Sequence, residues 1–203
     1  MIPIHHSWLA LLLVLTACST TSTPARFYTL AQPATSTTAA GTTPLFVEIL
    51  PVRVPERLAR PQIVVRNAGI DTAQVRILEH DRWSSHFNDE LQDALAGAIT
   101  SRLGAVDVSR GVRPADAHSY RIAIELTQFD AVPDDKLQAS FSWSVQRSDS
   151  NAAAVCRTVL TQPVQGGVAG VVQGMRQAVA EVAERASAAV SALESGGEAS
   201  CGS

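Results

Sequence analysis

Apolar and polar residues alternate along three segments in the second half of the chain. In "SYRIAIELTQF" and "LQASFSWSVQR" every second side chain is apolar, and "AVCRTVLTQ" follows at 154–162. A period of two predicts strands with one buried and one wet face, as in an antiparallel sheet. The turns "DAVPDDK" and "RSDSNAA" separate the three strands, so we expect a meander.

Shorter strands precede this meander. The segment "LFVEILPV", which begins at Leu45, alternates over one strand that Pro51 and Pro55 end or confine to a sheet edge. The segments "PQIVVR" at 61–66 and "QVRILEH" at 74–80 predict two further strands around the turn "NAGID".

A helical period in "SSHFNDELQDALAGAITSRLG" predicts a helix over 84–103. Ser84 or Ser85 can cap its start, and Asp89 and Glu90 complement the helix dipole.

Further along, the apolar residues of "GVAGVVQGMRQAVAEVAERASAAVSAL" recur at alternating spacings of four and three, which predicts a helix over 168–193. Such a seam suits a helix lying on a sheet or a coiled-coil partner, and we favour the sheet because the strands need a cover. The predicted fold class is α+β: an antiparallel-rich β-sheet with two main α-helices packed on one face.

The N-terminus carries a different signal. The apolar run 8–17 is too short to cross a bilayer core of about 30 Å and has the length of a signal-peptide core. It ends in "LTAC", the lipobox pattern, which predicts a lipoprotein signal peptide over 1–17 and an N-acyl, S-diacylglycerol modification of Cys18, with acyl chains such as palmitate. Ser19 stands where Asp would favour inner-membrane retention, so we expect the periplasmic face of the outer membrane.

Ser, Thr, Pro and Gly dominate the segment after Cys18, which predicts a flexible tether over 18–44. Within it, "RFYTL" at 26–30 is either an edge strand that docks on the domain, which we favour, or a separate binding motif. The folded domain is expected over 45–194, with a flexible tail over 195–203.

Composition and charge narrow the function. The chain has 203 residues, 46% hydrophobic and 17% charged, which suits one globular domain. Its net charge is -3 and its sixteen Lys and Arg are scattered, so nucleic acid is not an expected partner. The glycines near 166–174 match no nucleotide-binding pattern, no HExxH or GxSxG motif occurs, and His80, His86 and His118 lack metal-ligand spacing. We expect no enzyme, metal or cofactor.

Two thiols remain once Cys18 is lipidated. Cys156 and Cys201 tend to join in an oxidising periplasm, and the sequence leaves their pairing open.

Several pieces of the chain together resemble one family. A lipobox, then "FYTL", then "VPERLARPQIVVR" at 54–66 and "EHDRWSSHFNDEL" at 79–91, are similar to the PqiC/YmbA-like lipoproteins, the ABC-type transport auxiliary lipoprotein component. The resemblance implies an outer-membrane lipoprotein that works with an MCE-domain protein and ABC or integral-membrane components in lipid traffic between the two membranes. The alternative is a stand-alone envelope structural lipoprotein or an assembly chaperone. Direct contact with lipid and homo-oligomer formation stay open.

Within the shared motifs we name four candidate partner-binding residues. Arg60 and Gln62 flank Pro61 at a strand entrance, and Arg82 and Trp83 precede the first helix. The competing interpretation of Trp83 is a hydrophobic staple at the helix entrance.

Overall fold

A computed structural model describes residues 23–32, 44–69, 73–112 and 114–201. The predicted signal peptide, Cys18 and Ser19 lie outside the described residues. The elements are β1 (Arg26–Tyr28), β2 (Phe46–Ile49), a 3₁₀ turn (Glu56–Leu58), β3 (Gln62–Arg66), β4 (Val75–Trp83), α1 (Phe87–Leu103), β5 (Val106–Asp107), β6 (Ser119–Val132), β7 (Lys136–Arg147), β8 (Ala153–Pro163) and α2 (Gly167–Glu194).

The larger sheet has five strands in the order β5-β2-β6-β7-β8. The predicted meander is confirmed, because β6, β7 and β8 pair antiparallel and bring Ile124, Trp143 and Cys156 into register. β2 pairs parallel with both β5 and β6, so the sheet is mixed at this edge. Alternate residues of the meander strands are buried, as their period of two predicts.

Both helices share one hydrophobic core with this sheet, and the predicted α+β class is confirmed. α2 packs on β7, β8 and β6, and α1 packs alongside α2. The seam of α2 faces this core, with Met175, Val179 and Val182 at most 4% exposed, so packing on the sheet and not a coiled coil accounts for it. At its start, the Asp134 carboxylate accepts hydrogen bonds from the backbone N–H groups of Gly166 and Gly167.

The smaller sheet has three strands in the order β1-β4-β3. β3 and β4 form the predicted antiparallel hairpin, although β4 continues to Trp83, beyond the predicted end at residue 80. β1 pairs parallel with β4, which places Arg26 beside Asp81 and Tyr28 beside Trp83. The edge-strand interpretation of "RFYTL" is therefore confirmed.

Two predicted boundaries need correction. The folded part includes residues 26–30, upstream of the expected start at residue 45, because β1 finds hydrogen-bonding partners in β4. At the other end, a disulfide joins Cys201 to Cys156 on β8 and holds part of the expected flexible tail against the sheet. Ala199 and Cys201 are accordingly half-buried against the core.

Candidate functional site

The segment "RFYTL" is fastened first by its side chains to β4. The Arg26 guanidinium donates to the Asp81 carboxylate at 2.8 Å, and the Tyr28 hydroxyl donates to the same carboxylate at 3.0 Å. The Ser84 backbone N–H also donates to the Tyr28 carbonyl oxygen at 2.8 Å. Asp81 is only 7% exposed, so one buried carboxylate holds two residues of β1.

Glu90, in the first turns of α1, makes the second attachment. One oxygen of its carboxylate accepts the Leu30 backbone N–H at 2.8 Å and the Thr29 hydroxyl at 2.9 Å. The other oxygen accepts the hydroxyls of Ser84 and Ser85. Glu90 is 6% exposed and Leu30 is 1% exposed, so this is a satisfied buried carboxylate and not a surface complement of the helix dipole.

The serines also correct the prediction for the start of α1. The N-cap residue is His86, no side chain caps the helix there, and the first helical residue is Phe87. Ser84 and Ser85 instead direct their hydroxyls to Glu90. The two serines before the helix therefore do not cap it but bind the Glu90 carboxylate, which in turn holds the N-terminal segment.

A third attachment comes from α2. The Arg176 guanidinium donates to the Thr29 carbonyl oxygen at 2.6 and 3.1 Å through Nη2 and Nε. We call the set of Arg26, Tyr28, Thr29, Leu30, Asp81, Glu90 and Arg176 the N-terminal clip. It joins the segment just after the predicted lipidation site to β4, α1 and α2.

Burial and hydrogen bonding within the N-terminal clip shift the pKa values of Glu90 and Tyr28. Burial opposes ionisation of Glu90, but the hydrogen bonds from Ser84, Leu30, Thr29 and Ser85 outweigh it and lower its pKa. Burial raises the pKa of Tyr28, and its hydrogen bond to Asp81 raises it further. The phenol therefore stays protonated and remains a donor to the carboxylate.

The four candidate partner-binding residues lie close together beside the N-terminal clip. Gln62 pairs with Arg82 across the small sheet, and the Trp83 backbone N–H donates to the Pro61 carbonyl oxygen at 2.7 Å. The Phe87 backbone N–H points to the Arg60 carbonyl oxygen at 3.4 Å. The motifs "RPQIV" and "RW", which are separated in sequence, thus meet at the entrance to α1.

Their side chains differ in what they offer to a partner. Trp83 is 3% exposed and stacks on Phe87 with 5.1 Å between ring centroids, so the geometry favours the staple interpretation. Arg82 is half-exposed and donates to the Glu79 carbonyl oxygen at 2.8 Å. Arg60 is half-buried, and its Nε is a buried atom without a hydrogen-bond partner among the described residues, so this atom is not open to a partner.

A groove of about 190 Å³ runs between α1 and α2 next to the N-terminal clip. Leu30 and Arg176 line one end, and Gly97 and Val179 line its walls. A shallower groove of about 440 Å³ lies on the outer face of the large sheet beside Arg53, Ala123 and Val155.

The histidines do not gather. His80 and His86 are exposed near the start of α1, whereas His118 lies 2.9 Å from Glu194 at the end of α2. The Tyr120 hydroxyl donates to Glu194 at 2.6 Å, and burial together with this bond raises the tyrosine pKa. Across the described ranges, no three His, Cys, Asp or Glu side chains are grouped as a metal site would require. None of the helices described there could span a membrane.

The structure is an α+β body to which the strand β1 is fastened by the N-terminal clip. The model of the ABC-type transport auxiliary lipoprotein component matches residues 28–187, so the chain belongs to that family. The match begins at Tyr28, inside the N-terminal clip, and includes both motifs at the entrance to α1.

Solved structures show the same fold. The crystal structure of an uncharacterized protein aligns with a TM-score of 0.64 and 18% identity, covering 81% of this chain and 97% of that one. Protein XCC0632 from Xanthomonas campestris, of family DUF330, aligns with a TM-score of 0.52 and 17% identity, covering 78% and 90%. No curated protein matches the chain.

Proposed function

We propose that the protein is a non-enzymatic accessory subunit of an MCE-type, ABC-associated lipid transport system. In this proposal Cys18 carries the lipid, the body lies on the periplasmic face of the outer membrane, and the domain receives the end of an MCE-domain partner. Membership of the transport auxiliary lipoprotein family supports the assignment.

The N-terminal clip is the observation that carries the proposal. A segment that served only as a linker would gain nothing from a buried carboxylate, an ion pair and an arginine from a distant helix. These contacts transmit a pull on the lipid anchor directly into β4, α1 and α2. Such a connection suits a subunit that holds a partner at a fixed place on a membrane.

The half-exposed polar groups beside the clip are the proposed docking surface. Gln62 and Arg82 are half-exposed and pair across the small sheet, and the half-buried Arg60 lies next to them at the entrance to β3. A planar guanidinium suits a partner's carboxylate or backbone carbonyl. Trp83 supports this surface from below through its packing on Phe87.

Co-purification tests the proposal. The full chain, tagged at its C-terminus and solubilised from envelopes in mild detergent, should recover an MCE-domain protein identified by mass spectrometry. A triple change to serine at Arg60, Gln62 and Arg82 should reduce the recovery. Recovery of no MCE-domain protein by the unaltered chain would refute the proposal and favour a stand-alone envelope lipoprotein or an assembly chaperone.

The matched control exchanges three exposed residues of the same types for serine: Arg110, Gln138 and Arg157. This control should leave the recovery unchanged. Thermal unfolding of both triple variants separates a lost contact from a lost fold.

A further inference from the structure

The N-terminal clip fixes how far the body can lie from the membrane, provided that Cys18 is lipidated as proposed above. Only seven residues, 19–25, separate Cys18 from the first residue of β1. Fully extended, they span at most about 25 Å. The predicted tether of 18–44 is therefore not the length that separates the lipid from the domain, because β1 docks in the middle of it.

The direction of β1 shows which end of the body lies nearest the anchor. β1 runs parallel to β4, with Arg26 beside Asp81. The N-terminal end of β1 therefore points to the same end of the small sheet as the N-terminal end of β4. That end is the tip of the β3–β4 hairpin, and Val75 lies at most about 20 Å from Asp81 along the strand.

Two exposed apolar side chains lie at the hairpin end of the small sheet. Val75 is 44% exposed and Ile77 is 42% exposed, and they stand two residues apart on β4, so they share a face. Phe27 is 66% exposed but lies toward the other end of β4, because it pairs with Arg82. We call Val75 and Ile77 the apolar edge.

The arginines of the small sheet add little net charge to this surface. Three of the four arginines in β1, β3 and β4 form ion pairs with carboxylates: Arg26, Arg66 and Arg82. Attraction to a lipid surface therefore rests on the exposed apolar side chains, whose transfer out of water is favourable.

From the leash length, the strand direction and this surface chemistry, we propose that the apolar edge contacts the lipid surface that holds the Cys18 anchor. The β3–β4 hairpin then points to the membrane and α1, at the other end of β4, points away from it. Contact at two places, the acyl chains and the apolar edge, restricts the orientation of the body. The motifs around Arg60 and Arg82 are thereby presented on the side that continues into α1.

A quenching experiment on the intact lipoprotein tests this proposal. Because Cys156 and Cys201 form a disulfide and Cys18 is acylated in the proposal, a cysteine introduced by Ile77→Cys is the available thiol for an environment-sensitive fluorophore. Val75→Cys provides a second label site on the apolar edge. Val159→Cys, on the outer edge strand β8 and 63% exposed, provides the matched control.

The labelled proteins are reconstituted in vesicles of phosphatidylethanolamine and phosphatidylglycerol that contain a nitroxide-bearing lipid. We expect several-fold greater quenching and a blue-shifted emission at positions 77 and 75 relative to position 159. Equal quenching at all three positions in protein that carries its acyl chains and floats with the vesicles would overturn the membrane contact while leaving the anchoring intact. Protein whose intact mass shows an unmodified Cys18 would remove the leash and overturn both this proposal and the proposed localisation.

Discussion

Removing the Glu90 carboxylate should open the N-terminal clip without unfolding the body. Glu90→Ala deprives the buried Leu30 N–H of the acceptor at 2.8 Å, which costs roughly 1–3 kcal/mol. The Thr29 hydroxyl loses a bond to a charged acceptor as well, whereas the exposed Ser84 and Ser85 hydroxyls can turn to water. The two losses together give an expected cost of about 3 kcal/mol.

This cost should appear as local opening, because β1 has three residues and lies at a sheet edge. Hydrogen exchange followed by mass spectrometry or NMR should show the Leu30 amide exchanging roughly a hundredfold faster in Glu90→Ala, since 1.4 kcal/mol is about tenfold. Glu90→Gln keeps one carbonyl oxygen for the Leu30 N–H and loses only the charge, so its effect should be about 1 kcal/mol.

Asp89→Ala is the control for this prediction. Asp89 is exposed and lies next to Glu90 in the same turn, so its loss should cost only about 0.3–1 kcal/mol through the helix dipole. It should leave the Leu30 amide protected. Unchanged exchange at Leu30 in Glu90→Ala would show that the carboxylate does not hold the N-terminal segment.

The remaining predictions concern stability. The pKa values of Glu90 and Glu194 are lowered in the folded chain, so their ionised carboxylates stabilise the fold above the ordinary pKa of about 4.5. This stabilisation is lost as the pH falls through the pKa values of the folded chain. Urea titrations should therefore show the free energy of unfolding declining over that pH range, and declining less steeply in Glu90→Gln. A Cβ at Gly97 meets no atom within 4 Å, so Gly97→Ala should stabilise the protein by roughly 0.5–1 kcal/mol in the same titration, whereas at Gly170 it would lie 2.0 Å from a backbone oxygen and should destabilise it. Cys201→Ser opens a loop with a sequence separation of 45 and should cost about 4 kcal/mol by denaturation; a change below about 1 kcal/mol would show that the tail adds nothing to the fold.

Periodicity predicted the elements that bury one face, because in such an element apolar residues recur every second residue in a strand or about every 3.6 residues in a helix. The meander and both helices were found in this way, whereas the strand in "RFYTL" was predicted from apolar residues that stand out in a Ser/Thr-rich segment. The parallel pairing of β2 with β5 and β6 was not found, since strand direction depends on partners distant in the chain. β5, with two residues, is too short to show a period.

The site was harder to predict than the fold. The sequence placed Glu90 correctly in the first turns of a helix, where an acidic residue is usually an exposed complement to the dipole. Its role depends on Leu30, sixty residues earlier, and no local pattern reveals that contact. The available signal was the apolar "FYTL" inside a Ser/Thr-rich segment. It indicated that this segment docks on the domain, but not that Glu90 accepts its hydrogen bonds.

The shared motifs illustrate the same limit. "RPQIV" and "RW" were recognised as the specific pieces of the family pattern, and the structure brings them together through the Trp83–Pro61 hydrogen bond and the pairing of Gln62 with Arg82. The sequence alone left two interpretations of Trp83 open, a hydrophobic staple at the helix entrance and a partner-contact residue. Its burial favours the staple. Arg60 stays a candidate because it is half-buried and lies beside Gln62 at the entrance to β3.

Site-specific photo-crosslinking at Gln62 in intact cells tests the docking of an MCE-domain partner. With a benzophenone amino acid at this position, we expect an adduct that mass spectrometry identifies as an MCE-domain protein. The same amino acid at the exposed Gln138 of β7 should give no such adduct. Adducts with an MCE-domain protein in equal amounts from both positions would contradict the docking surface, and their absence from both positions, in cells that produce the acylated chain, would contradict the proposed function.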